Sequence, residues 1–335
     1  MPSRRVLLAS ALVVPVLVVS GCATTEEGDS PGDAAADDAF RIVASTSVYG
    51  SLAEQLAGDA AEVVTIVDSA TQDPHAYEAT ARDQLAVDGA DLAILNGGGY
   101  DPFMEDLVEA AGTAHVLTVV ELSHDDAGNE GHEESEGHDH SDDESSDEAA
   151  ETGDEGHDHI EGFNEHVWYD PHTIAHLVAD LAGELEELLP DAAPVIAAAE
   201  ESLRAEIDGL EADLDAIAAD RSGSHVFFTE PVGGSLAEAA GLEDVTTEGF
   251  VEAVEEGRDV APATLLSALD AVESGDVDVL VTNTQTSGAE TARVVDAAKA
   301  AGVPVVEYAE TLPEGETYAT WMAANVAALQ DALSG

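Results

Sequence analysis

The sequence predicts an α/β fold of two Rossmann-like lobes joined by a long rigid helix. Three observations carry that expectation. Short β-branched runs alternate with helical stretches in the first third of the chain and again in the last third. That order implies parallel strands joined by crossover helices. Two uninterrupted helical patterns lie between the two sets. Finally, the chain from Phe40 to Gly335 is long enough for two domains of about 150 residues each.

In the first set, Ile42–Ser45, Val63–Val67, Leu92–Leu95 and Val116–Val120 read as strands, with helical segments Ser51–Leu56, Thr80–Val87 and Pro102–Ala111 between them. The second set repeats the logic with Val226–Thr229, Val245–Thr247, Val277–Thr282 and Val303–Tyr308, separated by Leu236–Ala240, Pro262–Ser274 and Ala289–Ala300. Between them, Thr173–Leu189 carries Ile174, Leu177, Val178, Leu181, Leu185 and Leu188 at three- and four-residue spacing, and Pro190 ends the run. Asp191–Ala219 then carries Ile196, Leu203, Ile207, Leu210, Leu214 and Ile217 on one face. At 1.5 Å per residue that second helix reaches roughly 40 Å, enough to span both lobes and restrict their rotation. The expected division is therefore a first lobe at 40–190, a linking helix at 191–220 and a second lobe at 221–335.

Residues 1–22 have a different character. Arg4 and Arg5 precede an apolar run from Val6 to Val19, and Val19-Ser20-Gly21 leads into Cys22, the only cysteine. A run this short that ends in small residues reads as a cleaved signal segment rather than a membrane span. The pattern resembles a bacterial lipobox, which implies a lipidated Cys22 anchoring the protein to the membrane on its extracytoplasmic side. Residues 23–39 hold no aromatic side chain and are rich in Asp, Glu, Ala and Gly, a composition expected of a disordered tether.

With one cysteine there is no intramolecular disulfide and no multi-thiolate metal site, so ligands must be imidazole or carboxylate. The 72 acidic residues against 9 basic ones, a net charge of −63, exclude nucleic acid as a partner. The acids are spread along the whole chain, which reads as a general property, either solubility or life in saline surroundings.

One segment breaks the α/β pattern. From His124 to His159 the chain holds six histidines and sixteen acids with no Lys or Arg. It is expected to be a disordered acidic loop leaving the first lobe. Its His-Asp-His pairs, His138/His140 and His157/His159, suit weak, exchangeable binding of borderline metals.

Two sharper elements flank this loop. Asp73-Pro74-His75-Ala76-Tyr77-Glu78 follows the strand Val63–Val67, beyond the carboxyl end where α/β sheets gather ligands. Asn164-Glu165-His166-Val167-Trp168-Tyr169-Asp170-Pro171 marks the return to ordered chain, with His166 beside an apolar indole. His172 and His176 follow closely. On a helix centred on Ile174, however, they fall on the solvated side and read as an exposed i, i+4 pair.

Together the two elements resemble the zinc/manganese solute-binding proteins of bacterial ABC importers. In that family an Asp-Pro-His-x-Tyr-Glu element and a later His-x-Trp-x-x-Pro element each give one ligand, matched here by His75 and His166. The resemblance implies two further ligands from the second lobe, in the cleft between the lobes. Glu230, after the strand ending at Thr229, matches the third; Glu310, in Ala309-Glu310-Thr311-Leu312-Pro313, matches the fourth, where the family usually has aspartate. Glu307 is the rival for the fourth place, and His225 for the third.

Two imidazoles and two carboxylates would neutralise a divalent cation and compensate its lost hydration. The oxygen donors suit manganese, whereas the histidine-rich loop and the Irving–Williams order favour zinc, which is the expected cargo with manganese the alternative. The resemblance also implies a separate cognate ABC permease and its ATPase as partners, and a monomeric receptor.

An enzyme is not expected. His-Glu-x-x-His and Gly-x-Ser-x-Gly are absent, and Gly97-Gly98-Gly99 is not followed by the lysine of a phosphate-binding loop, since the single lysine is Lys299. A metal-buffering or adhesin-like surface lipoprotein, with the histidine-rich loop as its working part, is the alternative of another class.

Overall fold

The computed structural model describes residues 39–69, 72–123, 163–286 and 288–335. The signal segment, all but the last residue of the tether and the whole histidine-rich loop lie outside the described residues. Strands β1 (Phe40–Thr46), β2 (Ala61–Val67), β3 (Leu92–Leu95) and β4 (Val116–Thr118) make a parallel sheet in the order β2-β1-β3-β4. A second parallel sheet repeats it: β5 (His225–Phe228), β6 (Glu243–Asp244), β7 (Val279–Asn283) and β8 (Val305–Tyr308), ordered β6-β5-β7-β8. Both are doubly wound, so each has a switch point, at β1/β3 and at β5/β7, where loops diverge and leave a crevice.

Both sheets are covered on two faces, as parallel sheets must be, and alternate residues sort into separate cores. Ile42 and Ala44 join one apolar cluster while Val43 joins another, with Ile66, Leu95, Phe103 and Met104. In the second sheet Val279 and Val281 face the first cluster, and Leu280 faces a third with Phe227 and Phe250.

The first cluster runs through both lobes. Its spine is α4 (Pro171–Leu188) and α5 (Ala193–Arg221), whose Ile196, Leu203, Ile207, Leu210, Leu214 and Ile217 are all buried. Helix α1 (Ser47–Ala57) packs on α4 and α5 from the first lobe, and α10 (Tyr318–Leu333) packs on α5 from the second. Because a single core crosses the junction, the lobes are not free to swing as separate bodies.

Several boundaries differ from expectation for physical reasons. The strand expected at Val245–Thr247 is instead Glu243–Asp244, because those residues register with His225 and Val226; Val245 adds one hydrogen bond to the Val226 carbonyl (2.9 Å) and leaves the ladder. Beyond β4, Val119–Leu122 tightens into a 3₁₀ turn as Val120 N–H donates to the Asn96 carbonyl (3.0 Å). Helix α10 was not expected from the sequence, although Tyr318, Met322, Val326, Leu329 and Leu333 line one face and Thr317 caps it by accepting from Thr320 N–H.

Candidate metal centre

The four expected ligands come two from each lobe, and three of them, His75, Glu230 and Glu310, lie in loops that follow strands. His75 lies in the loop after β2, where the Asp73 carboxylate accepts from His75 N–H (3.0 Å) and closes an Asx turn around Pro74. His166 precedes the 3₁₀ turn Val167–Tyr169 that leads into α4. The Asp170-Pro171 pair of this motif proves to be a helix start: Asp170 caps α4 by accepting from His172 N–H and Thr173 N–H, with Pro171 in the first turn. Glu230 follows β5 and Glu310 follows β8.

Ligand atoms of His75, His166 and Glu310 all lie within 4.8 Å of one another. His75 Nε2 stands 3.8 Å from Glu310 Oε2, and the imidazole centroids of His75 and His166 are 5.7 Å apart. His166 and Glu310 are each only 1% exposed. Glu230 is joined to this group by Asn283, whose Nδ2 donates to Glu230 Oε2 (2.7 Å) and to Glu310 Oε1 (2.5 Å). Thr286 Oγ1 also donates to Glu230 Oε2. The other oxygen, Glu230 Oε1, is buried without a hydrogen-bond partner among the described residues. An acceptor left in that state is costly unless a cation meets it.

The residues around the four set their orientation. Asn164 Nδ2 donates to the Pro231 carbonyl (2.9 Å), which turns its Oδ1 toward His166 Nδ1 (2.9 Å) and His166 N–H (3.1 Å). With Nδ1–H engaged, the imidazole keeps its lone pair on Nε2, as an outer partner of a metal-binding histidine requires. Tyr100 donates to Glu310 Oε2 (3.2 Å) and stacks edge-on against His75 at 4.7 Å. The Gly97-Gly98-Gly99 turn delivers that tyrosine. Gly97 has φ +77°, and a Cβ there would sit 2.6 Å from Thr118 Cγ2. The buried Asp101 carboxylate holds the turn by accepting from Asn96 and Gly97 N–H (2.7 and 2.8 Å).

Burial dominates the electrostatics. It raises the Glu310 carboxyl to about 8; the nearby Asp73 and Glu230 charges add to the rise, and the Asn283 and Tyr100 hydrogen bonds oppose it. Glu230 rises to about 7 for the same first cause, again with Asp73 contributing. Two buried carboxylates thus sit near the half-buried Asp73, and among the described residues neither buried one is hydrogen-bonded to a lysine or arginine, an arrangement that a divalent cation relieves.

The rivals stand elsewhere. Glu307 is exposed, on the face of β8 opposite to the buried Val306 and Tyr308. His225 opens β5 at its amino end, where its Nδ1 pairs with the Asp276 carbonyl (2.8 Å) beside Glu243. A second acidic group, Glu165 with His166 and Glu255, shares His166 with the first.

Asn283, Gln285, Asn164 and Tyr100 were not expected from the sequence as parts of the site. Gln285 Oε1 accepts from Glu310 N–H (2.6 Å) and its Nε2 donates across the cleft to the Gln72 carbonyl (3.0 Å). The signal for both was the polar run Asn283-Thr284-Gln285-Thr286 at the carboxyl end of a buried strand, beside the second switch point. Other bonds also cross the cleft: Tyr169 OH donates to the Ala309 carbonyl (2.7 Å), and Leu312 N–H donates to Ser47 Oγ (2.9 Å).

A family model described as the periplasmic component A of the zinc-uptake complex, ZnuA, matches residues 42–332. The chain belongs to the ZnuA family. ZnuA-type proteins are components of uptake complexes and not enzymes. The chain is 30% identical over 116 residues to the manganese-binding lipoprotein MntA of Halalkalibacterium halodurans, a stretch that is 35% of this chain and 37% of that protein. It is 29% identical over 157 residues to the zinc-binding lipoprotein AdcA of Streptococcus pneumoniae, 47% of this chain and 28% of that one. The match therefore spans only about a third of either relative's length. The periplasmic zinc-binding protein TroA of Treponema pallidum has the same fold at 17% identity, with a TM-score of 0.66 over 88% of this chain and 99% of TroA.

Proposed function

We propose that this ZnuA-family chain is the extracytoplasmic substrate-binding protein of an ABC importer, that it captures zinc, and that His75, His166, Glu230 and Glu310 hold the ion. One observation carries the reading. Two imidazoles from one lobe and two buried carboxylates from the other converge, and Glu230 Oε1 is buried with no hydrogen-bond partner among the described residues. Two neutral imidazoles and two carboxylates cancel the ion's charge and replace its water shell. Capture displaces protons from Glu230 and Glu310, and release requires the hydrogen bonds across the cleft to yield.

The lipidated Cys22 anchors the receptor to the membrane, and a cognate permease with its ATPase takes the ion onward. Manganese is the second reading: oxygen supplies half the donors, and one relative is named for manganese. Competition between zinc and manganese on protein lacking residues 124–159 tests both. One tight site that prefers zinc supports the proposal, preference for manganese supports the alternative, and loss of all tight binding would assign the working part to the deleted loop.

A further inference from the structure

The pair His172/His176 does more than decorate the solvated face of α4. Their rings do not diverge into water. The two Nε2 atoms face one another at 3.1 Å, with centroids 4.7 Å apart and planes at 72°. From α5, Glu211 presents a carboxylate oxygen 3.8 Å from His172 Nδ1, the nitrogen on the far side of the same ring. We infer that His172 and His176 form a second, solvent-accessible chelate for a borderline divalent ion such as zinc, copper or nickel, with the Glu211 carboxylate as a neighbouring negative charge.

The geometry fits such an ion. At metal–nitrogen distances of about 2.05 Å, two nitrogens 3.1 Å apart subtend roughly 100° at the ion, between octahedral and tetrahedral values. The i, i+4 spacing on a regular helix holds both imidazoles in reach without ordering any new chain. Both residues are exposed, which leaves the rings room to turn their lone pairs to a common point. The Glu211 carboxylate, 3.8 Å from His172 Nδ1, is too far to hydrogen-bond but adds a negative charge beside the ring that favours a cation there.

The start of a helix repels a cation, but the Asp170 carboxylate already caps those N–H groups and offsets the dipole there. Imidazole donors select against manganese, calcium and magnesium. Both histidines are exposed, so an ion held there exchanges with solvent more readily than one held in the cleft. This chelate does not depend on which residues hold the cargo.

Carbethoxylation of histidine by diethylpyrocarbonate, read peptide by peptide by mass spectrometry on the full chain, tests the pair directly. Zinc at about nine times the dissociation constant should lower the modification of His172 and His176 together about tenfold, by mass action. Manganese should protect neither, and His225 and His115 report general changes in reactivity. In the H176Q variant, His172 should lose its zinc protection while the cleft site still fills. Unchanged reactivity of both residues in zinc would overturn the proposal, because the close nitrogens would then be a hydrogen-bonded pair only. Undiminished protection of His172 in H176Q would overturn it equally, since the two would not share an ion.

Discussion

Replacing Glu310 by Gln separates the two jobs that the buried carboxyl performs. In the ion-free protein its pKa is raised from 4.5 to about 8, chiefly by burial. A raised folded-state value means stability that is complete below pH 4.5 and is lost as pH climbs through 8. With those two values the wild-type cost is about 2 kcal/mol at pH 6 and about 4 kcal/mol at pH 8, so this one group should remove about 2 kcal/mol of stability across that interval. E310Q keeps the volume and can still accept from Asn283, but it cannot ionise.

Urea unfolding of chelator-stripped protein at both pH values measures this. The difference in unfolding free energy between E310Q and wild type should move by about 2 kcal/mol in favour of the variant between pH 6 and pH 8, an order-of-magnitude figure. Zinc affinity should drop in the same variant, because a negative ligand has become a neutral one. An identical pH slope in both proteins would refute the assignment of a buried, raised carboxyl. Undiminished zinc affinity in E310Q would refute its role as a ligand.

Three further outcomes follow from the same geometry. Zinc affinity of the wild type should fall as pH drops from 8 toward 6, because Glu310 and Glu230, raised to about 8 and about 7, take up protons that the ion must displace; a chelator competition series across that range reads it. N164A deprives His166 Nδ1 of its acceptor and should weaken zinc binding about 10- to 100-fold with little change in fold, measured by the same competition. G97A should cost on the order of 1–3 kcal/mol in urea unfolding, since its φ is +77° and the new methyl meets Thr118. G112A, at φ +68° with nothing within 4 Å, should cost less and serves as the control.

Much of this organisation is legible in the chain because the physics is local. Ile42–Ala44 and Val279–Val281 are continuous apolar runs, as strands buried on both faces require, and they were expected from composition alone. Helix α5 declares itself through the spacing of Leu203, Ile207, Leu210 and Leu214. His75 and His166 stand out in the sequence through short elements with proline and aromatic neighbours. Part of each motif turned out to be structural: Asp170 is a cap and Asp73 closes a turn.

What escaped was set by distant contacts. Asn283 lies 53 residues from Glu230 and 27 from Glu310, and only the meeting of three loops makes it a bridge between them. Tyr100 reaches a residue 210 positions away. Whether Glu307 faces inward or outward depends on the pleat of a four-residue strand, where a shift of one register position exchanges buried and exposed side chains. The position of β6 differs from expectation for a similar reason: its pairing with β5, not β-branched content, decides which residues join the ladder.

The central claim is that four side chains from two lobes enclose one ion. A crystal of the zinc-loaded protein, with diffraction recorded on both sides of the zinc absorption edge, tests it most directly. A strong anomalous peak is expected, bonded to the imidazoles of His75 and His166 at about 2.0–2.1 Å and to carboxylate oxygens of Glu230 and Glu310 at about 2.0–2.2 Å. A fully occupied peak in the cleft that touches neither imidazole, or no peak there while zinc is bound elsewhere, would contradict it.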